Sequence, residues 1–96
     1  MNNEAIIREG RRQPLGYQQL TGISSSTPLT VPSGAMACLI QAEAQDIRWR
    51  DDGVAPTASI GMKLTAGGDF YYTGDLSAVR VIQTTAGSIV NVSYYR

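Results

Sequence analysis

The residues best suited to chemistry lie between positions 46 and 57, where the carboxylates Asp51 and Asp52 are adjacent. A pair of carboxylates can hydrolyse a glycosidic bond, and carboxylate oxygens are also calcium ligands. Successive residues of a strand point to opposite faces, however, and Gly53 follows the pair directly. Asp-Asp-Gly is typical of a tight turn, so we predict a turn here and regard calcium binding and catalysis as the weaker alternatives.

The sequence contains no histidine. This removes the Ser-His-Asp and Cys-His nucleophilic arrangements, together with the commonest metal ligand and proton shuttle. The only cysteine, Cys38, lies in an apolar run, where a free thiol usually behaves as a small buried hydrophobe. We therefore predict no catalytic, cofactor-binding or metal-binding residue, and expect a protein that is not an enzyme.

The residues just before the turn predict a strand. Ile47 and Trp49 alternate with Arg48 and Arg50, which is the period-two pattern of a half-buried strand. We expect Ile47 and Trp49 to anchor the core, so that Trp49→Ala would cost about 3 to 5 kcal/mol. Arg48 and Arg50 would form an exposed or interfacial face; pairing of these arginines and Arg80 with acidic residues of the same chain is the preferred alternative. The acidic partners considered for that pairing are Asp46, Asp51 and Asp75.

Short apolar runs separated by Gly, Pro, Ser and Thr make up the rest of the chain. Residues 36–42 are the most apolar run and predict a central strand buried on both sides. Residues 59–64 predict a one-sided strand, with Ile60, Met62 and Leu64 on its inner face. Turn signals recur about every eight to twelve residues, the spacing typical of all-β folds. We predict a small antiparallel β-sandwich or jelly-roll-like barrel at residues 15–96, preceded by an extended N-terminal arm at residues 1–14.

Two groups of aromatic residues occur at positions 70–72 and 94–95. Successive rings on a strand point to opposite faces, so half of them should belong to the core. The other half would cover surface or an interface, which we favour over a platform for sugars or bases.

Composition limits the partners. The formal net charge is zero, so no overall field attracts nucleic acid or an acidic membrane. The N-terminal residues lack the apolar region of a secretory signal, and no run approaches the roughly 18 apolar residues that cross a bilayer. Charged residues make up only 17% of the chain, which suits a protein that hides much of its surface in an assembly.

Residues 31–95 also carry a recognisable pattern, above all the block RWRDDGVAPT at positions 48–57 and the C-terminal NVSYY. This part of the chain resembles a family of small, mostly uncharacterised virion proteins of tailed bacteriophages. The resemblance implies a virion protein made in the host cytoplasm. By analogy with small β-rich capsid proteins, it would decorate or cement the capsid as a homotrimer that joins neighbouring major-capsid subunits. The interface candidates are Arg11, Arg12, Arg48, Arg50 and Tyr95.

Three alternatives stay open at this point. A neck, tail or head-fibre position within the virion fits the same resemblance. A carbohydrate-recognition module would require Tyr71 or Tyr95 to be exposed beside an acidic residue. A small hydrolase would require two acidic side chains that converge in one pocket.

Overall fold

The computed structural model describes residues 12–96, which form two four-stranded antiparallel sheets. The predicted all-β sandwich is confirmed. A single turn of 3-10 helix at Leu76–Ala78 is the one helical element among the described residues. The strands are β1 (Pro14–Thr21), β2 (Thr27–Pro28), β3 (Ala37–Glu43), β4 (Ile47–Arg50), β5 (Met62–Leu64), β6 (Asp69–Tyr72), β7 (Arg80–Gln83) and β8 (Ile89–Tyr95).

Strands distant in sequence are neighbours in each sheet. Sheet 1 has the order β1-β8-β3-β6, and sheet 2 has the order β2-β7-β4-β5. The C-terminal strand β8 is paired along its full length with both β1 and β3. The last strand of the chain therefore completes the middle of sheet 1.

The core lies between the sheets and follows from strand alternation. In β8, the alternate residues Val90, Val92 and Tyr94 are buried. Cys38 in β3 is also buried, and this burial raises the pKa of its thiol to about 11, so the thiol stays protonated at neutral pH. From the other side of the core, Ile47 of β4, Val81 of β7 and Val79, which directly precedes β7, are fully buried.

The expectation that residues 36–42 are buried on both faces is wrong. Cys38, Ile40 and Ala42 face the core, whereas Leu39 is only half-buried and Gln41 is exposed. No described element covers the outer face of sheet 1. The apolar residues of this run therefore lie mainly on the inner face and at the strand ends. Met36 precedes the strand and is 62% exposed.

The expectation for residues 59–64 is also wrong in part. Strand β5 is restricted to Met62–Leu64, and both Ile60 and Met62 are more than half exposed. Thr57 explains the difference, because its backbone and its hydroxyl both bond the backbone of Ile60 and close a turn. The apparent alternation thus spans a turn and a short edge strand.

Most of the predicted N-terminal arm, residues 1–11, lies outside the described residues. The remainder joins the sheet. The backbone of Gln13 forms hydrogen bonds in both directions with Arg96, and Pro14 is the first residue of β1.

Candidate functional site

The connection between β4 and β5 folds back against sheet 2. Pro56 is buried there, and Arg48 Nη1 donates a hydrogen bond of 2.9 Å to the carbonyl of Gly61. Gly61 has a φ of +139°, and a Cβ at this position would lie 3.2 Å from both Pro56 Cβ and the carbonyl oxygen of Trp49. Arg48, predicted as an interface candidate, therefore holds the connection in place.

Arg50 pairs with Asp52 in a two-pronged ion pair. Nε donates to Oδ1 at 2.9 Å and Nη2 donates to Oδ2 at 2.5 Å. Pairing within the chain is therefore as predicted, but the partner is Asp52 rather than Asp46, Asp51 or Asp75. The hydrogen bonds from Arg50 lower the pKa of Asp52 from 3.8 to about 2. Of the carboxylates that were considered, Asp46 lies 3.3 Å from Lys63 in a second ion pair.

The predicted turn is present at residues 51–53. Gly53 has a φ of +86°, a left-handed conformation that glycine adopts readily. Asp52 Oδ1 accepts a hydrogen bond from the backbone N–H of Val54, as an Asx-type turn requires.

Asp51 has a different role, which sequence patterns did not reveal. Its Oδ2 accepts a hydrogen bond of 2.7 Å from the hydroxyl of Tyr72, so a loop of sheet 2 is tied to a strand of sheet 1. Burial, and then the hydrogen bond to Asp51, raise the pKa of Tyr72 to about 12. A Cβ on Gly74 would overlap the Tyr72 hydroxyl and lie 2.6 Å from its Cζ, so the ring fits because residue 74 is glycine.

Three rings join the two sheets beside this contact. Trp49 of sheet 2 stacks on Phe70 of sheet 1, with ring centroids 4.8 Å apart, and meets Tyr72 edge-on at 6.0 Å. Trp49 packs against the core while remaining partly exposed. The prediction that Ile47 and Trp49 anchor the core therefore matches the packing.

The carboxylates Asp51 and Asp52 line one shallow groove, together with Arg50, Gly61 and Met62. The two carboxylates do not share a proton, because Asp51 accepts a hydrogen bond from Tyr72 and Asp52 from Arg50. The low pKa keeps Asp52 ionised at neutral pH, whereas a general acid needs a raised pKa. Within residues 12–96 no group of three or more His, Cys, Asp or Glu side chains is placed to hold a metal ion.

Three exposed apolar side chains lie in or next to the β4–β5 connection. Val54 and Ile60 belong to the connection, and Met62, which lines the groove, begins β5; they are 53%, 57% and 60% exposed. We call these three residues, with the Arg50–Asp52 ion pair, the hairpin-tip surface. Exposed apolar side chains together with an ion pair are the composition of a protein contact site.

A second surface lies on the outer face of sheet 1. Tyr71 is half exposed and its ring centroid is 6.2 Å from that of Tyr95, while Tyr17 is 64% exposed. Asn91, at the centre of this face, accepts hydrogen bonds from Tyr17 and Gln19. The sequence identified Tyr71 and Tyr95 but not Tyr17 and Asn91; the polar alternate positions of β8 were the available signal.

Two interface candidates remain. Arg11 lies outside the described residues, and Arg12 precedes β1 in a half-buried position. Arg80 is exposed on the outer face of sheet 2. Within the described part of the chain, no helix has the length and apolarity needed to span a membrane.

No family model matches this chain, and the searches of the curated proteins and of the solved structures returned no match either. Function must therefore be argued from the surfaces themselves and from the resemblance described above.

Proposed function

We propose that this chain is a non-enzymatic structural protein of a tailed-bacteriophage virion, a decoration or cement protein that binds neighbouring major-capsid subunits. The main structural support for this proposal is the hairpin-tip surface. Val54, Ile60 and Met62 are exposed in or next to the β4–β5 connection, and the Arg50–Asp52 ion pair lies at the start of that connection. The resemblance of residues 31–95 to phage virion proteins supplies the biological setting.

The hairpin-tip surface is well prepared for binding because its supports are already ordered. Arg48 holds the connection through Gly61, and Tyr72 holds Asp51 from the opposite sheet. Ordering of side chains and loops is a major cost of association, and a surface that is ordered in advance avoids much of it. Met62 and Arg50 belong to the residue types that are enriched at interfaces.

The charged groups near this surface serve structural contacts, which favours a binding role over catalysis. Asp52 neutralises Arg50, and Asp51 accepts a hydrogen bond from Tyr72. Each of these two carboxylates thus has a partner within the chain that fixes its position.

The proposal includes a homotrimer. Strands β1, β6, β2 and β5 are sheet edges, each paired on one side only among the described residues. Exposed edges favour association with further chains, and closed cyclic assembly covers them. Native mass spectrometry should give a particle of three times the 10.3 kDa chain mass, whereas a monomer at micromolar concentration would contradict this part of the proposal.

The test of the virion role is direct detection. Mass spectrometry of purified particles from the phage that encodes this chain should find the protein in many copies. A cryo-electron reconstruction should place it between major-capsid subunits. Particles without the protein would contradict the virion role, and density at the neck, tail or a fibre would contradict the decoration role.

Two variants test the hairpin-tip surface on those particles. Met62→Asp puts a charge into the exposed apolar group, so we expect incorporation to fall at least tenfold. Ala86→Asp is the matched control, since residue 86 is exposed in the turn between β7 and β8. Equal incorporation of both variants would show that the contact is elsewhere.

A further inference from the structure

Two cross-strand rows on the outer face of sheet 1 form a shallow trough. The first row runs Tyr17, Ser93, Leu39, Tyr71 across strands β1, β8, β3 and β6. The second row runs Gln19, Asn91, Gln41, Asp69 across the same four strands. One row thus has aromatic rings at both ends and smaller side chains between them, and the adjacent row is entirely polar.

The aromatic row has the shape of a cradle. Tyr17 and Tyr71 stand on the two edge strands, three strand spacings or about 14 Å apart. A depression lies on the Tyr17 side of the row, lined by Tyr17, Leu39, Gln41, Asn91 and Ser93, and Tyr71 follows Leu39 on the next strand. Tyr95 supports the far ring, because its centroid lies 6.2 Å from that of Tyr71.

The polar row is fixed by its own hydrogen bonds. Asn91 Oδ1 accepts from the hydroxyl of Tyr17 at 2.5 Å and from Gln19 Nε2 at 3.0 Å. Asn91 Nδ2 donates to Gln41 at 3.1 Å and to Glu43 at 2.9 Å. Among residues 12–96, neither Gln41 Nε2 nor the Asp69 carboxylate has a hydrogen bond or ion pair, and both residues are exposed.

The charge of the face selects the kind of ligand. Its strand positions within residues 12–96 carry the carboxylates Glu43 and Asp69 and no lysine or arginine. Polyanions such as nucleic acids are bound through cationic groups, so this face would repel them. Amide and carboxylate groups beside exposed rings suit a neutral molecule that combines an apolar face with many hydroxyl groups.

We propose that this trough binds a neutral oligosaccharide that lies across the strands of sheet 1. The C–H faces of its sugar rings pack on Tyr17 and Tyr71, as flat apolar surfaces pack on aromatic rings. Its hydroxyl groups donate to Asp69 and accept from Gln41. The site lies on a different surface from the hairpin tip and does not depend on a virion role.

Isothermal titration with the full chain tests the site, with cellohexaose, maltohexaose, mannohexaose and chitohexaose as probes. At least one hexasaccharide should bind with a Kd below about 1 mM. Loss of a stacked ring or of a hydrogen bond should weaken that binding about tenfold, so Tyr71→Ala and Gln41→Ala are the test variants. Tyr71→Phe keeps the ring and should retain most of the affinity.

Arg80→Ala is the matched control, because Arg80 is exposed on the outer face of sheet 2. Its affinity should equal that of the unchanged protein, and melting temperatures should confirm that every variant is folded. Failure of all four probes at millimolar concentration would overturn the proposal, as would full affinity in Tyr71→Ala. Preference for a heparin hexasaccharide would overturn the neutral-ligand assignment. None of these outcomes bears on whether particles contain the protein.

Discussion

Tyr71 and Tyr72 are adjacent on β6, yet they have opposite environments. The Tyr72 ring is 9% exposed, meets Trp49 edge-on, and its hydroxyl bonds Asp51 of the other sheet. Tyr71 is half exposed, and its ring contact is with Tyr95 of the same sheet. The same residue type therefore joins the two sheets at one position and covers an outer face at the next.

The difference separates stability from binding. Rings on the inner side of sheet 1 contact both sheets, so their loss should weaken the whole fold. Rings on the outer side rest on one sheet, so their loss should leave folding nearly unchanged and affect only what that face contacts. Substitution of one inner ring and one outer ring can test this separation.

Trp49→Ala should produce the largest change, a loss of about 3 kcal/mol in the free energy of unfolding. The substitution removes the stack on Phe70 and the edge contact with Tyr72, which are the ring contacts between the sheets. Tyr71→Ala on the outer face should cost no more than about 0.5 kcal/mol. Urea unfolding followed by circular dichroism measures both losses of unfolding free energy. Equal losses would show that the inner and outer rings contribute alike to stability.

Gly74→Ala should be the next most harmful change, at about 1 to 3 kcal/mol. The new methyl group would overlap the Tyr72 hydroxyl and push the ring away from Asp51. Gly16→Ala is the matched control, because a Cβ there meets nothing within 4 Å. If both variants unfold at the same urea concentration, Tyr72 is not held as tightly as its contacts indicate.

The sequence predicted the fold well where strand alternation is strong. Val90, Val92 and Tyr94 repeat every second residue, and all three face the core. The turn at residues 51–53 was predictable because Asp and Gly stabilise it through local backbone geometry. Both features depend on residues that are close in sequence.

Features that depend on distant residues were missed. Asp51 and Tyr72 are 21 positions apart, and no periodicity connects a turn carboxylate to a particular tyrosine. Tyr17 and Asn91 are 74 positions apart, so their contact exists only once β1 pairs with β8. The exposure of Met62 was missed for a related reason, since alternation shows which residues share a face but not whether another element covers it.

Tyr72→Phe should cost about 1 kcal/mol at neutral pH through the lost hydrogen bond to Asp51. It should also change the alkaline limit of stability. The pKa values of Tyr72 and Tyr94 rise from 10 to about 12 in the folded protein, so the stability that these phenols contribute is fully present below pH 10. It is lost as the pH rises from 10 to 12, because the unfolded chain releases these protons first.

Urea midpoints measured between pH 8 and pH 11.5 test this effect. Tyr72→Phe should lose less stability over that interval than the unchanged protein does, since it has one phenol fewer to ionise. Tyr71→Phe, on the outer face, should follow the unchanged protein. If Tyr71→Phe lost less stability than Tyr72→Phe over this interval, the assignment of Tyr72 to the inner face and Tyr71 to the outer face would be contradicted.

Arg50→Ala should have the smallest effect on folding, because exposed ion pairs contribute little to stability. Its small effect should disappear at acid pH. Arg50 lowers the pKa of Asp52 from 3.8 to about 2, so the contribution of the pair is present above pH 4 and is lost as the pH falls towards 2. The variant should therefore match the unchanged protein at pH 2 in urea unfolding. On particles, loss of binding by Arg50→Ala without loss of stability would place the capsid contact at the hairpin tip, whereas unchanged binding would remove Arg50 from the interface.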